Sequence, residues 1–555
     1  MLSPDQVSGQ ILGHLGLVSA TISKIGLIEQ VDKRIPLSEN HGSHVTMGER
    51  MAAMILNGLG FIDDRLYMFP EFLDDKPVAR LFGKDLSAEH FNDDALGRCL
   101  DGIYEYGPTK LFSEIAFDIA TEFGLLGKTA RFDTTSISVF GEYNTPPQAN
   151  PSSDKKEGKE PFRLAQGYSK DGRPDLKQMI LTLATTGKSG FPIWASAHSG
   201  NTSDKEVLHR CASKMKKMTQ GLKEAPSFLF VGDSAMYEKC ARDSSGLLWL
   251  SRVPQVSNQA KELLSIKSEK LTWQELDKGY SISPQVTVYK NIKQRWLLVF
   301  SEQAFKREVK TLEKNILKEE TTVGKQLWHL GNITFGCTSD ANEALKPFKK
   351  GLKYHTVEDE LEKILGYKGK GRPPKDAPKE VIGYKIKAKL RQSEAHIAAQ
   401  KLHKGRFILA TNQLDEKELS NENMLKEYKD QMYTERGFRF IKGNAFEVSS
   451  VFLKKESRIQ ALSMVMALTL MIYNVAQYFL RETLEKNGDT VPNQLGKQIA
   501  KPTFAWVCRM FQRVQVIQIR LAENTQEIVA NLTDVLRKIV LYFGGNAAKI
   551  YGLCA

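Results

Sequence analysis

Cysteine is scarce in this 555-residue sequence: Cys99, Cys211, Cys240, Cys337, Cys508 and Cys554 stand far apart, with no Cys-x-x-Cys pair. That spacing excludes a disulfide framework and a zinc module held by paired cysteines, and it fits a reducing cytoplasm. No period of about 20–50 residues recurs, which excludes a solenoid or a propeller. A basic stretch followed by a continuous apolar one is missing from the N-terminus, so no secretory leader is expected. Long uncharged runs are equally rare. The single example of bilayer length is residues 461–480. Ser463, Thr469, Asn474 and Gln477 interrupt it, and basic residues flank both sides (Lys454, Lys455, Arg458, Arg481), so a buried core helix is expected and no membrane partner.

What remains is ordinary for a folded chain: 41% hydrophobic and 26% charged residues, in a length that accommodates about three or four domains. The net charge is +13, and its distribution is uneven. Residues 1–100 carry 9 basic and 14 acidic side chains, whereas the remainder carries 69 and 51. Residues 341–406 are the most positive large segment, with 17 basic and 8 acidic side chains. A polyanionic partner therefore suits the later chain better than its first hundred residues.

Hydrophobic periodicity divides the chain. Residues 1–127 read as an all-α domain, with Met51, Met54, Ile55 and Leu59 on one helix face. Residues 128–252 alternate strand-like and helical runs, the pattern of an α/β core, around a polar Pro-rich loop at 144–160. Residues 253–405 break that rhythm, as an insertion domain between two parts of the core, and carry the basic segment, which suits a polyanionic partner. A strand at 406–412 and a helix at about 420–436 resume the core over 406–485, and 486–555 reads as a helical C-terminal region.

Three acids stand out by position. Asp133 interrupts an otherwise uncharged strand, Asp233 follows a buried strand directly, and Glu435 lies on the helix beyond. Carboxylates at neighbouring strand ends can converge, and a helix beside the sheet can add a third. Such oxygens suit hard cations, and a pair of ions about 3.5–4 Å apart suits phosphodiester chemistry. Strand-end acids also serve as helix caps and turn residues, and helical glutamates are commonly solvated.

The surroundings of these acids carry a resemblance. Tyr428, Gln431, Glu435 and Lys442 fall at the spacing Tyr-x2-Arg-x3-Glu-x6-Lys, with Gln431 in the Arg position, and residues 167–178 (GYSKDGRPDLKQ), 200–204 (GNTSD) and 56–61 (LNGLGF) accompany them. This combination resembles the Asp-Asp-Glu (DDE) transposases of bacterial insertion sequences, in the group whose ribonuclease-H-like core is interrupted before the Glu helix. The resemblance runs from about residue 10 to residue 540. It implies an α/β fold with a ribonuclease-H-like catalytic core and a large insertion. Asp133, Asp233 and Glu435 would be the catalytic triad, holding two Mg2+ ions per site, with Mn2+ able to substitute. The implied reaction is cleavage at the terminal inverted repeats followed by attack of the freed 3′-OH on target DNA. Two element ends imply a homodimeric synaptic complex, in the cytoplasm of a bacterium and associated with its nucleoid.

Further DNA contacts are expected from charge and spacing. Tyr428, Gln431 and Glu435 at i, i+3, i+7 would share a helix face. Lys442 would bring a point charge to the terminal phosphate, and Arg436 or Arg439 would supply what Gln431 lacks. Arg372 sits in a Gly-Arg-Pro core like that of an AT-hook, or in a flexible linker. Lys385, Lys387 and Lys389 alternate with period two, as a backbone-tracking strand face or as a solvated edge strand. Trp296 and Trp328 read as core residues, with a wedge beside a flipped base as the other reading. His198 reads as a hydrogen-bonded structural histidine. The all-α unit would recognise element ends or mediate dimerisation. Two other readings of the whole remain open: an inactive or repurposed DNA-binding copy of the fold, and a ribonuclease-H-like nuclease without strand transfer.

Overall fold

Residue Val7 opens a short strand, Val7–Ile11 (β1), which belongs to a sheet formed with the other end of the chain. It pairs antiparallel with Gln515–Arg520 (β16), which in turn pairs with Thr525–Ala530 (β17). The computed structural model describes residues 6–37, 44–60, 69–140, 143, 162–187, 189–221, 226–243, 245–367, 378–442, 453, 455–520 and 525–553. Two compact units result, one of residues 1–251 with 425–555, the other Arg252–Met424.

Within the first unit the N-terminal region is mostly helical but not all-α, because of β1; the C-terminal region likewise contains β16 and β17 beside its helices. The short strands Val491–Pro492 (β14) and Gln498–Ile499 (β15) also pair there. Local pattern hid β1, whose partner is some five hundred residues away. Helix starts follow side-chain chemistry: Thr46 and Glu49 form a reciprocal capping box before Met47–Leu59, Asn92 caps Asp93–Tyr106, and Pro108 opens Pro108–Glu122.

These helices gather around one long helix, Glu456–Lys486, which contains the uncharged run. By length and composition it is apolar enough to cross a membrane, yet 78% of its most apolar window is buried. It packs against Leu15–Lys24, Met47–Leu59, Asp93–Tyr106 and Pro108–Glu122. Arg458 on its first turn makes a two-pronged ion pair with Asp101 (2.8 and 2.6 Å).

The same unit holds the strands Thr129–Val139 (β2), Lys177–Thr186 (β3), Phe191–Ser199 (β4), Leu229–Gly232 (β5) and Trp249–Arg252 (β6), in the order β4-β3-β2-β5-β6. β2, β3 and β4 are antiparallel neighbours, while β5 runs parallel to β2 and to β6. Helix Asp204–Thr219 buries Val207, Cys211 and Met215 against them, and the long helix contacts β4. The Pro-rich loop expected at 144–160 lies outside the described residues.

The second unit, Arg252–Met424, extends beyond the expected limit at 405. Its strands Gln274–Leu276 (β7), Tyr280–Tyr289 (β8), Ile292–Ser301 (β9) and Arg406–Thr411 (β13) are antiparallel neighbours in the order β13-β9-β8-β7. The β13–β9 pairing accounts for the later boundary. Lys290 and Asn291, both with positive φ (52° and 65°), make the two-residue turn between β8 and β9. A 30-residue helix, Glu302–Gly331, then leads to Thr334–Phe335 (β10), helix Thr338–Gly351, and the long ribbon of His355–Gly366 (β11) and Glu380–Gln392 (β12). Leu327, Ala341, Leu345 and Ile386 form a small core under that ribbon.

Leu468, fully buried on the long helix, sets the expected cost of damage there. Leu468→Ala should destabilise the protein by about 3 kcal/mol, read as a lower urea midpoint with an unchanged slope.

Candidate active site

In β2 and β5 the paired residues Arg131 and Val231 are each followed, two positions on, by an aspartate, Asp133 and Asp233. The strands are parallel, so both acids leave at the same end of the sheet. Asp133 accepts a hydrogen bond from the Thr134 amide (2.7 Å). Asp233 caps helix Ser234–Cys240 by accepting from the Ala235 amide (2.9 Å), and its carbonyl accepts from the Ser251 hydroxyl on β6 (2.6 Å). Burial pushes the Asp133 carboxyl up to about 6; Lys170 and the Thr134 amide oppose the rise, while Asp233 and Glu435 add to it. Burial also raises Asp233, opposed by the Ala235 amide and Lys170, and Asp204 adds to the rise.

Glu435 comes from elsewhere in the unit. Instead of one helix from about 420 to 436, the chain forms Asn421–Lys429 and Met432–Ile441, with a break at Asp430-Gln431. The cause lies in β2. Arg131, almost wholly buried, pairs with Glu427 (2.5 Å) and Asp430 (3.6 Å). Gln431 Nε2 donates to the Phe132 carbonyl (3.4 Å), and Thr434 Oγ1 donates to the Arg131 carbonyl (3.1 Å). Thr434 also meets the Thr185 hydroxyl at 2.7 Å. These contacts pull the turn onto the strand just before Asp133. On the opposite side Gly437 lets the helix approach the long helix, since a Cβ there would stand 2.9 Å from Leu470 Cδ2.

This geometry corrects two expectations. Gln431 is buried at the start of the second helix and bonds to backbone, so it is not a phosphate contact in this arrangement. Tyr428, half-buried on the first helix, shares no continuous helix face with Glu435. Glu435, Arg436 and Arg439 are exposed, with the Arg436 guanidinium 5.9 Å from the Tyr433 ring centre. Lys442 is half-buried and paired with Asp171 (2.7 Å).

Sequence reasoning missed Lys170. Its Nζ donates to the Thr134 carbonyl (2.7 Å) and hydroxyl (3.0 Å) and pairs with Asp204 (3.2 Å). The segment 167–178 was the signal available; a lysine one position from an aspartate gave no hint that it would reach back to β2. As for metal, Asp133 and Asp233 offer hard carboxylate oxygens suited to Mg2+ or Mn2+, and the field they share with Glu435 is one that a divalent cation would relieve. Among the described residues, no three His, Cys, Asp or Glu side chains stand close enough together to hold one ion. The donor chemistry fits, while the positive charge beside the acids is that of Lys170.

The second unit shows what became of the remaining basic candidates. Lys385, Lys387 and Lys389 on β12 stand opposite Glu362, Glu360 and Glu358 on β11. Lys387 pairs with Glu362 (3.0 Å) and Arg391 with Glu358 (2.6 Å). The face is a ladder of alternating charge, so the expected basic track is largely neutralised by its neighbour strand. Arg372 lies outside the described residues. Trp296 is buried and donates to Gln294 Oε1 (2.9 Å), whereas Trp328, expected in the core, is 66% exposed. In the first unit His198 sits beside Arg210 (3.3 Å) and Cys211 (3.6 Å), its pKa pushed down to about 3 by burial and then by Arg210 and Lys214. That is a neutral structural histidine.

The raised pKa of Asp133 has a stability consequence. The native state holds this proton more tightly than the unfolded chain, whose carboxyl titrates near 3.8. Native stability therefore falls as pH rises from about 4 through about 6 and levels off above. At pH 7.5 in EDTA, Asp133→Asn should be more stable than the parent by ~2 kcal/mol, and the difference should vanish near pH 4 in thermal unfolding.

Known proteins bear on this arrangement. Residues 7–117 match a family described as a domain of unknown function (DUF4277), and residues 132–472 match the family described as transposase DDE domain. Among curated proteins none matches. Among solved structures, a cryo-EM structure of the piggyBac transposase synaptic complex with hairpin DNA is similar at 9% identity and a TM-score of 0.34, over 90% of this chain and 79% of that one; a score so low does not establish a shared fold. The DDE match spans more than half of the sequence, begins one residue before Asp133 and includes Asp233 and Glu435. The chain belongs to the transposase DDE domain family.

Proposed function

We propose that the protein is a divalent-metal-dependent DNA transposase of a bacterial insertion sequence, with Asp133, Asp233 and Glu435 as its catalytic carboxylates. The observation that supports this most is the register of β2 and β5, which gives the two aspartates the same offset on adjacent parallel strands. A chance pair of acids has no reason to share register and strand direction, with the charge of Asp233 also adding to the rise at Asp133. Asp133, Asp233 and Glu435 would hold Mg2+ or Mn2+, two ions per site. Bound ions of this kind activate an attacking oxygen and stabilise charge on the leaving oxygen.

The chain's own groups do the rest. In the first reaction water forms a bond to phosphorus at the element end, the P–O3′ bond breaks, and the departing O3′ gains a proton. In the second, that 3′-OH forms a bond to a target phosphorus, a target P–O3′ bond breaks, and the proton passes to the new 3′ oxygen. The Arg131 pairs and the Thr434 bond would hold the Glu435 helix in register with β2. Arg436, Arg439 and Lys442, on or directly after that helix, would meet the phosphates, with Tyr428 a more distant contact. DNA partners would be the terminal inverted repeats and the target, engaged by a homodimer in the bacterial nucleoid. The N-terminal region, residues 1–127, would recognise ends or mediate dimerisation, and Arg372 would add a minor-groove contact.

Purified protein with Mg2+ or Mn2+ should nick duplex DNA ending in the element's own inverted repeats, then join it to a second DNA. Asp133→Ala, Asp233→Ala and Glu435→Ala should each lower cleavage by about 10^3-fold or more while leaving duplex binding within a few fold. Normal cleavage by the Glu435→Ala protein would exclude the triad. Nicking without joining would favour the nuclease reading, and binding without either would favour the repurposed copy.

A further inference from the structure

Two neighbouring residues of one turn make opposite contacts at this site. Lys170 reaches the Thr134 carbonyl and hydroxyl and pairs with Asp204, at the start of helix Asp204–Thr219. Asp171 pairs with Lys442, at the end of the Glu435 helix. The turn that presents them is well held. The Lys170 amide donates to Ser136 Oγ on β2 (2.9 Å), the Asp171 and Arg173 amides donate to Ser169 Oγ (3.3 and 3.1 Å), and Gly172 adopts a φ of +71°. A cation thus stands among the acids and an anion stands on the lysine expected to meet DNA.

We propose that the turn 169–172 is a built-in stand-in for metal and substrate: Lys170 supplies the charge that divalent ions would bring to Asp133, Asp233 and Asp204, and Asp171 supplies the charge that a DNA phosphate would bring to Lys442. Both are positioning residues, and both contacts give way when metal and DNA bind. The inference rests on the transposase reading of the three acids. Its physical basis is competition. Like charges cannot share the site at low cost, so an ammonium and a divalent ion exclude each other, as do a carboxylate and a phosphate at Lys442. The acids, which burial makes costly to ionise alone, are thereby kept in place without metal.

The test has two arms, both on the full chain and neither read from activity. In calorimetric titration with Mn2+, Lys170→Met and Lys170→Gln should bind the ion roughly tenfold tighter than the parent, and Lys170→Arg should stay near it. In EDTA the Lys170→Met protein should melt below the parent, and saturating Mn2+ should erase the difference. Equal or weaker Mn2+ binding by both neutral variants, or a melting deficit that persists in Mn2+, would overturn the proposal, because a purely structural lysine behaves that way. In the second arm, Asp171→Asn in EDTA should bind a short duplex several-fold tighter by anisotropy, and the gain should disappear in Asp171→Asn/Lys442→Ala. A gain that survives loss of Lys442 would overturn the Asp171 half. The Asp133→Ala/Asp233→Ala protein should not bind Mn2+. Retained binding there, or none by the parent, would instead overturn the assignment of the acids, and this inference with it.

Discussion

The guanidinium of Arg131 is buried in β2 two residues before Asp133, and a charge in that position needs anions; Glu427 and Asp430 supply them. Those two acids belong to the segment that carries Glu435. The pairing therefore does more than neutralise a buried charge, since it breaks the helix at Asp430-Gln431 and turns the following residues onto the Arg131 and Phe132 carbonyls. Loss of one partner from a pair this buried costs about 3–5 kcal/mol, which gives the docking a stiffness that no single hydrogen bond would provide. This contact docks the segment that carries Glu435 onto β2, and the register of β2 with β5 gives Asp133 and Asp233 the same offset.

Charge balance is the second constraint. Burial raises both aspartates, and their proximity to Glu435 and Asp204 raises them further. A fold does not gain stability from such a cluster, and acids held at that cost are what the proposed metal chemistry would use. Lys170 lowers the cost, and Asp171 does the same for Lys442. The Lys170-Asp171 turn thus balances the acidic and basic halves of the site inside one unit. In the second unit a similar balance appears in the β11–β12 ribbon, where glutamates face the lysines whose period-two spacing had suggested a phosphate track.

Much of this was legible in the sequence because it was local. The strand character of residues 129–139, the strand-then-aspartate at Asp233, and the polar interruptions that marked 461–480 as a core helix are all readable over a few neighbours. Spacing alone left Lys385, Lys387 and Lys389 as a basic track or a solvated edge, since the neutralising glutamates lie across a ladder and not beside the lysines in sequence. Gln431 looked like a weakened phosphate ligand because its helix was taken as continuous, and only the buried Arg131 explains why it is not. Trp328 was expected in the core; the helix Glu302–Gly331 buries only a narrow stripe around Leu312 and Leu327, and Trp328 lies outside it. β1 was hidden because its pairing with β16 joins opposite ends of the chain; β16 and β17 pair locally, inside a region read as helical.

On the proposed reading, Asp133, Asp233 and Glu435 serve one metal centre. Iron-directed backbone cleavage tests it most directly: protein loaded with Fe2+ in place of Mg2+ is treated with ascorbate and peroxide, and the cut sites are mapped by mass spectrometry. Hydroxyl radicals act close to the ion that makes them, so a shared centre should give cuts near residues 133, 233 and 435 together, all suppressed by excess Mg2+ and all lost in Asp133→Ala. Cuts confined to other parts of the chain, or cuts near residue 435 that persist when Asp133 and Asp233 are both removed, would contradict it.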